Sequence, residues 1–151
     1  IPKYPLPMKM LGIFPQKPLD PWLPIFRGFD DEFMMPHSRH TEIHREDILA
    51  NPELSLIAES DDCGVSIVMA RGGREFFITG HFEYSPDTLD NEYKRDRGIR
   101  DDVAIPKNYY HDDDPDKGPK VTWRSHANLF YTNWVNYYVY QETPYNIDDI
   151  R

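Results

Sequence analysis

The chain has 151 residues, which is enough for one domain with a buried core. Its formal net charge is −9, from 26 acidic and 17 basic residues, and this disfavours nucleic acid as a partner because phosphates attract clustered lysine and arginine. No apolar run approaches the length of a membrane span, and no signal-peptide pattern opens the sequence. Cys63 is the single cysteine, so an internal disulfide is impossible, and we expect a cytoplasmic protein.

The first part of the sequence is rich in proline and predicts short strands and connections. Closely spaced prolines exclude a helix over residues 1–7. The apolar run at 10–14 predicts a short strand, residues 16–24 a proline-punctuated connection, and residues 26–33 a turn-rich stretch. Because the chain starts with isoleucine and runs quickly into apolar sequence, we expect it to be a piece of a longer protein.

The middle of the chain contains three short apolar blocks, each bounded by turn-forming residues. They predict three strands, at 54–59, 65–70 and 75–79. Residues 61–64 and 71–74 are predicted to join them as hairpin-like turns. The third block is a contiguous run of phenylalanine and isoleucine, and we expect it to be a buried inner strand. Before these blocks, residues 47–51 fit one helical turn.

Two helices are predicted in the second half, the first over residues 86–97. Pro86 suits its first turn and Gly98 the position after its last turn. Leu89 and Tyr93 are spaced to face the core.

The last helix is predicted over residues 123–141, after a polar and acidic loop at 101–119. Thr122 is expected to cap this helix and Pro144 to end it. Its apolar positions have helical spacing and predict a core-facing stripe rather than a cofactor site: Trp123, Ala127, Phe130, Trp134, Tyr137 or Tyr138, and Gln141.

The strongest chemical signal is the pair His81 and Glu83, which directly follows the third apolar block. In an extended segment, side chains two residues apart share one face, so we expect these two to lie within about 6 Å of each other. A carboxylate beside an imidazole fixes its tautomer and stabilises the imidazolium that forms when the ring takes a proton. At the carboxyl end of a strand in an α/β sheet, such a pair suits general-base catalysis. The alternative is a surface histidine beside a solvated glutamate.

Arg95 lies on the predicted helix that follows this turn. Its guanidinium could bind a substrate carboxylate through two parallel hydrogen bonds. The residues alone favour the simpler interpretation, a surface arginine paired with Glu92 or Asp96.

Other candidate sites have weaker signals. Cys63 lies in an acidic turn that does not suit a nucleophile, so we expect it to be structural or incidental. His37, His40 and His44 have a spacing that could bind a metal on a helix, but a proline precedes them and no carboxylate ligand is indicated. The acidic run at 111–114 lacks the glycine and glutamate of a calcium loop. We therefore predict no metal site.

Several longer stretches resemble the homoserine O-acyltransferase family, whose members are homoserine O-succinyltransferases and O-acetyltransferases. The resemblance covers essentially the whole chain, and its last stretch is long and specific. The stretches are IPKYPLPMKMLGIF, MMPHSRHTEI, FITGHFEYSPDTLDNEYKRD, KNYYHDDDP and WRSHANLFYTNWVNYYVYQETPY.

This resemblance implies an α/β fold of the class I glutamine-amidotransferase-like (flavodoxin-like) type, a three-layer sandwich. Residues 1–151 would be the carboxyl-terminal half of a single catalytic domain. The implied reaction is acyl transfer from acyl-CoA to the hydroxyl of L-homoserine through an acyl-cysteine, the first committed step of methionine biosynthesis from homoserine. The implied partners are L-homoserine, acyl-CoA and the missing amino-terminal half, with a homodimer left open. No cofactor is implied, since acyl-CoA is a co-substrate.

The resemblance also assigns roles to individual residues. His81 matches the family's general base and Glu83 its catalytic glutamate. Lys9, Ser38 and Arg95 match positions that contact substrate. Arg95 would bind the homoserine carboxylate, Lys9 would place a positive charge near the acyl donor or its oxyanion, and Ser38 would add a hydrogen bond.

One essential part of the family's site is missing from this sequence. The family's nucleophilic cysteine lies upstream of the IPK motif, and Cys63 does not match it. The upstream residue linked to the choice between acetyl and succinyl donors is missing as well. We therefore expect the whole protein to be an enzyme and the 151 residues alone to be inactive. Two alternatives stay open: a glutamine amidotransferase, which shares Cys-His-Glu chemistry but has no need of Arg95, and a non-catalytic fragment.

Overall fold

The computed structural model describes residues 1–100, 103–141, 146 and 148. The described strands form one sheet and are β1 (Tyr4–Pro18), β2 (Phe33–Glu42), β3 (Leu54–Ser60), β4 (Gly64–Ala70) and β5 (Glu75–Ile78). Their order across the sheet is β2–β1–β3–β4–β5. Each neighbouring pair runs antiparallel.

β1 is much longer than the strand predicted at residues 10–14. It begins inside the proline-rich start and runs through Pro18, so the prediction of an irregular connection over 16–24 is wrong at its beginning. The cause is long-range pairing, because Gln16 pairs with β2 and Lys17 pairs with Glu59 of β3. β1 therefore joins the β2 side of the sheet to the β3 side.

β2 has no counterpart among the predicted elements. Pro36 and several polar side chains obscure its alternation, although Met35 and His37 are fully buried. The strand forms because it pairs with β1, from Phe33 opposite Gln16 onwards. Pro36 lacks an N–H, and it is tolerated because β2 lies at one edge of the described sheet.

The three predicted strands of the middle region are confirmed as β3, β4 and β5. The expectation that the third is a buried inner strand is wrong. β5 pairs with β4 alone among the described strands, so it lies at the opposite edge of this sheet. Phe77 at the middle of β5 is 43% exposed as a result.

The helices are close to those predicted, with differences at their ends: α1 (Arg45–Leu49), α2 (Thr88–Arg97) and α3 (Arg124–Trp134). A π-helical turn, Val135–Val139, continues α3. The cap of α3 is Trp123 rather than Thr122, and Trp134 is 39% exposed rather than part of the buried stripe. Pro144 lies outside the described residues. No helix in the described part of the chain is long and apolar enough to cross a bilayer.

The core lies between the sheet and the inner faces of α2 and α3. Leu89 and Tyr93 of α2 are buried in it, as are Ala127 and Phe130 of α3, which confirms these predicted positions. Phe82 is 4% exposed and joins the same core. Burying a phenylalanine side chain stabilises a fold by about 1.5–3 kcal/mol, so Phe82 fastens the segment after β5 to the body of the protein.

Candidate active site

The turn after β5 brings His81 and Glu83 together at the protein surface. His81 Nδ1 lies 2.8 Å from Glu83 Oε1, and this contact confirms the predicted distance. Phe82 points the other way, into the core, where its ring packs against Phe33 and Phe130. A turn at Phe82 and Glu83, in which the Tyr84 N–H donates to the His81 carbonyl at 3.4 Å, places the two polar side chains together, rather than the extended segment that was expected.

Backbone contacts fix the position of this turn. The His81 N–H donates to the Pro36 carbonyl of β2 at 2.8 Å, and the Thr79 N–H donates to the Ser66 carbonyl of β4 at 2.9 Å. Gly80 permits the close approach to β2, because a Cβ at this position would overlap the Met35 sulfur and lie 2.8 Å from the Pro36 carbonyl oxygen. The base is thus held on two strands at once.

The hydrogen bond to Glu83 defines the chemistry of the histidine. An ionised carboxylate can only accept, so Nδ1 of His81 carries the hydrogen and Nε2 is the basic nitrogen. The side chain of His81 is 32% exposed and that of Glu83 is 59% exposed. Nε2 can therefore take a proton from a bound molecule, with the carboxylate stabilising the resulting imidazolium.

Tyr84 packs directly on the imidazole and was not identified from the sequence. Its ring is stacked on the His81 ring, with the centroids 4.2 Å apart and the planes 10° from parallel. Its hydroxyl donates to Glu92 Oε1 at 3.0 Å. Burial and the neighbouring Glu92 carboxylate raise the pKa of Tyr84 to about 12, so the hydroxyl stays protonated and remains a donor.

Glu92 of α2 is the common acceptor of the site. It accepts from Tyr84, from Lys9 Nζ at 3.3 Å, and from the Ser38 hydroxyl in a short hydrogen bond. Burial alone would raise the pKa of Glu92, but hydrogen bonds from Ser38, Tyr84 and Lys9 outweigh it and lower the pKa below its ordinary value. Glu92 is therefore an ionised carboxylate. It connects Lys9 and Ser38, two binding residues predicted from the sequence, to Tyr84, which stacks on His81.

Lys9 and Arg95 share the neighbouring carboxylate of Asp96. Lys9 Nζ lies 2.9 Å from Asp96 Oδ2, while Nε and one terminal nitrogen of Arg95 each lie 2.8 Å from Oδ1. Lys9 and Arg95 lower the pKa of Asp96. The simpler interpretation of Arg95, a pair with Asp96, matches these contacts, and its role as a carboxylate clamp stays a prediction.

The structure therefore brings together all five residues that the sequence singled out, and it adds three more. Tyr84, Glu92 and Asp96 complete the connection between them. A sequence signal existed for two of these, since Glu92 and Asp96 are four residues apart on a predicted helix and therefore share one face, and both were named as partners of Arg95.

The other sequence candidates are not part of this hydrogen-bonded cluster, although His40 lines a cavity beside Lys9 and Asp96. Cys63 is 2% exposed, and its side chain contacts Gln16 at 3.2 Å and His37 at 3.6 Å. His37 is a buried neutral residue: burial, helped by the charge of Arg39, lowers its pKa to about 3. His44 stacks on Tyr4. No group of three or more potential metal ligands occurs in the parts of the chain that the structure describes.

Two solved structures with a related fold are glutamine amidotransferases. The chain resembles one from Methylobacillus flagellatus with a TM-score of 0.55 and 12% identity, over 89% of this chain and 55% of the other. A second, from Thermotoga maritima, gives a TM-score of 0.50 and 12% identity, over 88% and 50%. The class I glutamine-amidotransferase-like α/β fold predicted from the resemblance is thereby confirmed.

Curated relatives are much more similar in sequence. The chain is 67% identical over 151 residues to a homoserine O-acetyltransferase of Bacteroides thetaiotaomicron, covering all of this chain and 50% of that protein. It is 56% identical over 147 residues to a homoserine O-acetyltransferase of Brevibacillus brevis, covering 97% of this chain and 48% of that protein. The chain thus spans about half the length of these relatives. The family model described as homoserine O-succinyltransferase matches residues 1–145, and the chain belongs to this family.

Proposed function

We propose that the complete protein that contains these residues transfers an acyl group from acyl-CoA to the hydroxyl of L-homoserine. The observation that carries the proposal is the pair His81 and Glu83, in which Nδ1 is engaged at 2.8 Å and Nε2 is the basic nitrogen. Family membership indicates the substrate class. The pair provides the base that must remove the proton from the hydroxyl of the acyl acceptor.

The proposed reaction has two steps. An upstream cysteine thiol loses its proton to His81 Nε2 as its sulfur attacks the thioester carbonyl of acyl-CoA. When the bond from the carbonyl carbon to the CoA sulfur breaks, the imidazolium gives that proton to the CoA sulfur, which leaves an acyl-cysteine and free CoA. The homoserine hydroxyl then loses its proton to His81 Nε2 as its oxygen attacks the acyl-cysteine carbonyl. When the carbon–sulfur bond breaks, the imidazolium returns that proton to the cysteine sulfur. Glu83 stabilises the imidazolium between these proton transfers.

The binding residues fit a substrate with a carboxylate. Arg95 has five N–H donors, and its contacts with Asp96 use Nε and one terminal nitrogen. In the proposed complex, the guanidinium binds the homoserine carboxylate with its remaining donors, or it releases Asp96 and binds the homoserine carboxylate in its place. Lys9 and Ser38 are both held by Glu92 in the same cluster. In the proposed complex, Lys9 places a positive charge near the acyl donor or its oxyanion, and Ser38 adds a hydrogen bond.

The open edge of β5 is where we place the missing nucleophile. A nucleophile that His81 activates must come within about 2.6–3.2 Å of Nε2, directly or through one water. β5 leads into His81, and no described strand pairs with its second edge. A parallel strand added at this edge would end beside His81. We propose that this strand comes from the half of the relatives' length that the chain does not match.

The acyl donor is acetyl-CoA or succinyl-CoA. The relatives support an acetyl donor, since they are described as homoserine O-acetyltransferases, whereas the family model is described as a succinyltransferase. The residue that the resemblance links to this choice is upstream. The proposed place of action is the cytoplasm, in the synthesis of methionine from homoserine.

The test is a steady-state assay of the complete protein with each acyl-CoA, with and without homoserine. We expect homoserine-dependent release of CoA and a fall of at least about 10²-fold in kcat for His81→Ala. His111→Ala is the matched control, because His111 is an exposed histidine at the start of a short 3-10 helix, and it should retain the wild-type rate. Hydrolysis of glutamine in place of acyl transfer, or a His81→Ala enzyme at the wild-type rate, would reject the proposal.

A further inference from the structure

The stack of Tyr84 on His81 restrains the ring in a way that the Glu83 hydrogen bond cannot. A single hydrogen bond at Nδ1 fixes the direction of one ring nitrogen but leaves the ring free to turn about that bond. Glu83 is also 59% exposed, so water competes for its oxygens. The tyrosine covers one whole face at a centroid distance of 4.2 Å and fixes the plane of the ring.

Tyr84 is itself anchored at both ends. Its carbonyl accepts from the indole N–H of Trp123 at 3.2 Å, and Trp123 is 2% exposed. Its hydroxyl donates to Glu92 at 3.0 Å. The buried tryptophan holds the backbone of Tyr84 and the helix carboxylate holds the end of its ring, so the ring acts as a fixed surface that does not follow the imidazole if the imidazole turns.

Glu92 connects this fixed surface to the substrate side of the site. The same carboxylate that accepts from Tyr84 accepts from Lys9 and Ser38. One acidic side chain therefore sets the position of the base, through Tyr84, relative to two residues of the proposed binding site. The face of the tyrosine ring also stabilises the cationic imidazolium that forms during transfer.

We infer that Tyr84, anchored by Glu92, is a positioning residue. It holds the plane of the His81 imidazole and the position of that ring relative to Lys9 and Ser38. The inference rests on the proposed function for its kinetic consequences. A base misplaced by about 1 Å can lose about 10²-fold in rate, which sets the scale of the effect.

Two substitutions separate the stack from its anchor. Tyr84→Leu removes the stacked ring, and we expect kcat to fall by up to about 10²-fold while the KM for homoserine changes little. Tyr84→Phe keeps the ring and loses the bond to Glu92, so we expect a smaller fall, about 5–30-fold. Glu92→Leu removes the acceptor of Tyr84, Lys9 and Ser38, so it should lower kcat and raise the KM for homoserine together. Adding Tyr84→Phe to it should cost little more, because both remove the same contact.

Tyr110→Phe is the matched control. The Tyr110 hydroxyl donates to Asp90 of the same helix at 2.7 Å, so its loss removes an equivalent bond away from the base. We expect stability to fall slightly and kcat to stay at the wild-type value. An equal loss of kcat in Tyr110→Phe and Tyr84→Phe would overturn the inference, because the effect would then follow the stability of the helix.

A spectroscopic readout tests the inference without activity. Long-range ¹H–¹⁵N spectra of histidine-labelled complete protein report the tautomer of His81, which we expect to be the Nδ1–H form. In Tyr84→Leu the tautomer, which Glu83 sets, should stay the same, but the His81 signals should broaden because the ring turns between orientations; Tyr110→Phe should leave their line widths unchanged. Unchanged His81 line widths in Tyr84→Leu would overturn the inference. A wild-type protein without acyl transfer would reject the proposed function instead, with the spectra still deciding the role of Tyr84.

Discussion

Replacing Glu83 with glutamine tests how much the charge beside His81 contributes to turnover. The amide retains an oxygen that can accept from Nδ1, so the tautomer is preserved and only the charge is lost. A hydrogen bond to a charged group contributes about 1.5–3 kcal/mol and a neutral one about 0.5–1.5 kcal/mol, so the difference is about 1–2 kcal/mol. This corresponds to a fall of about 5–30-fold in kcat. Because Glu83 is 59% exposed, we expect the lower part of that range.

The assay is kcat of the complete protein at saturating acyl-CoA and homoserine. Glu75→Gln is the matched control, because Glu75 at the start of β5 also pairs with a cation, Arg71 at 3.1 Å, and is 40% exposed. We expect this control to retain the wild-type kcat. A Glu83→Gln enzyme at the wild-type rate would refute the reasoning, as would an equal loss in Glu75→Gln.

Three further predictions concern a cysteine, the arginine and the sheet edge. Cys63→Ser should leave kcat unchanged, since the buried thiol contacts Gln16 and His37 rather than the base; an inactive variant would mean that Cys63 is the nucleophile. Arg95→Lys should raise the KM for homoserine strongly, because lysine lacks the bidentate fork, and it should spare acylation of the enzyme by acyl-CoA. Equal loss of acylation and of transfer to homoserine in rapid-quench assays would argue against a carboxylate clamp. Backbone amides on the open edge of β5 should exchange with deuterium faster in the 151-residue chain than in the complete protein, and equal rates would remove the proposed strand from that edge.

Local sequence was sufficient for the elements whose burial is local. The blocks that form β3 and β4 are apolar and end at turn residues, so their pattern alone identified them. β2 escaped prediction because Pro36 and His37 interrupt its pattern, and its burial depends on pairing with β1. The edge position of β5 was also invisible, because a contiguous apolar run does not say which strands lie beside it.

The contacts of the site also divide into local ones, which the sequence could predict, and long-range ones, which it could not. The contact of His81 with Glu83 was predicted from the spacing of the two residues, although a turn rather than an extended segment brings them together. The contact of Lys9 with Glu92 was not, since 83 residues separate them and the sheet brings them together. The predicted role of Ser38 came from the family resemblance alone. For Arg95 the residues offered both a carboxylate clamp and a surface ion pair, and only the resemblance favoured the clamp.

The transfer of a labelled acyl group to homoserine in a rapid-quench experiment tests the central claim most directly, namely that His81 is the base of this step. We predict that the complete wild-type protein forms a covalent acyl adduct that homoserine discharges, and that the 151-residue chain alone forms none. In His81→Ala, discharge by homoserine should be at least about 10²-fold slower. Discharge at the wild-type rate in His81→Ala, or an adduct on the isolated chain, would contradict the proposed site.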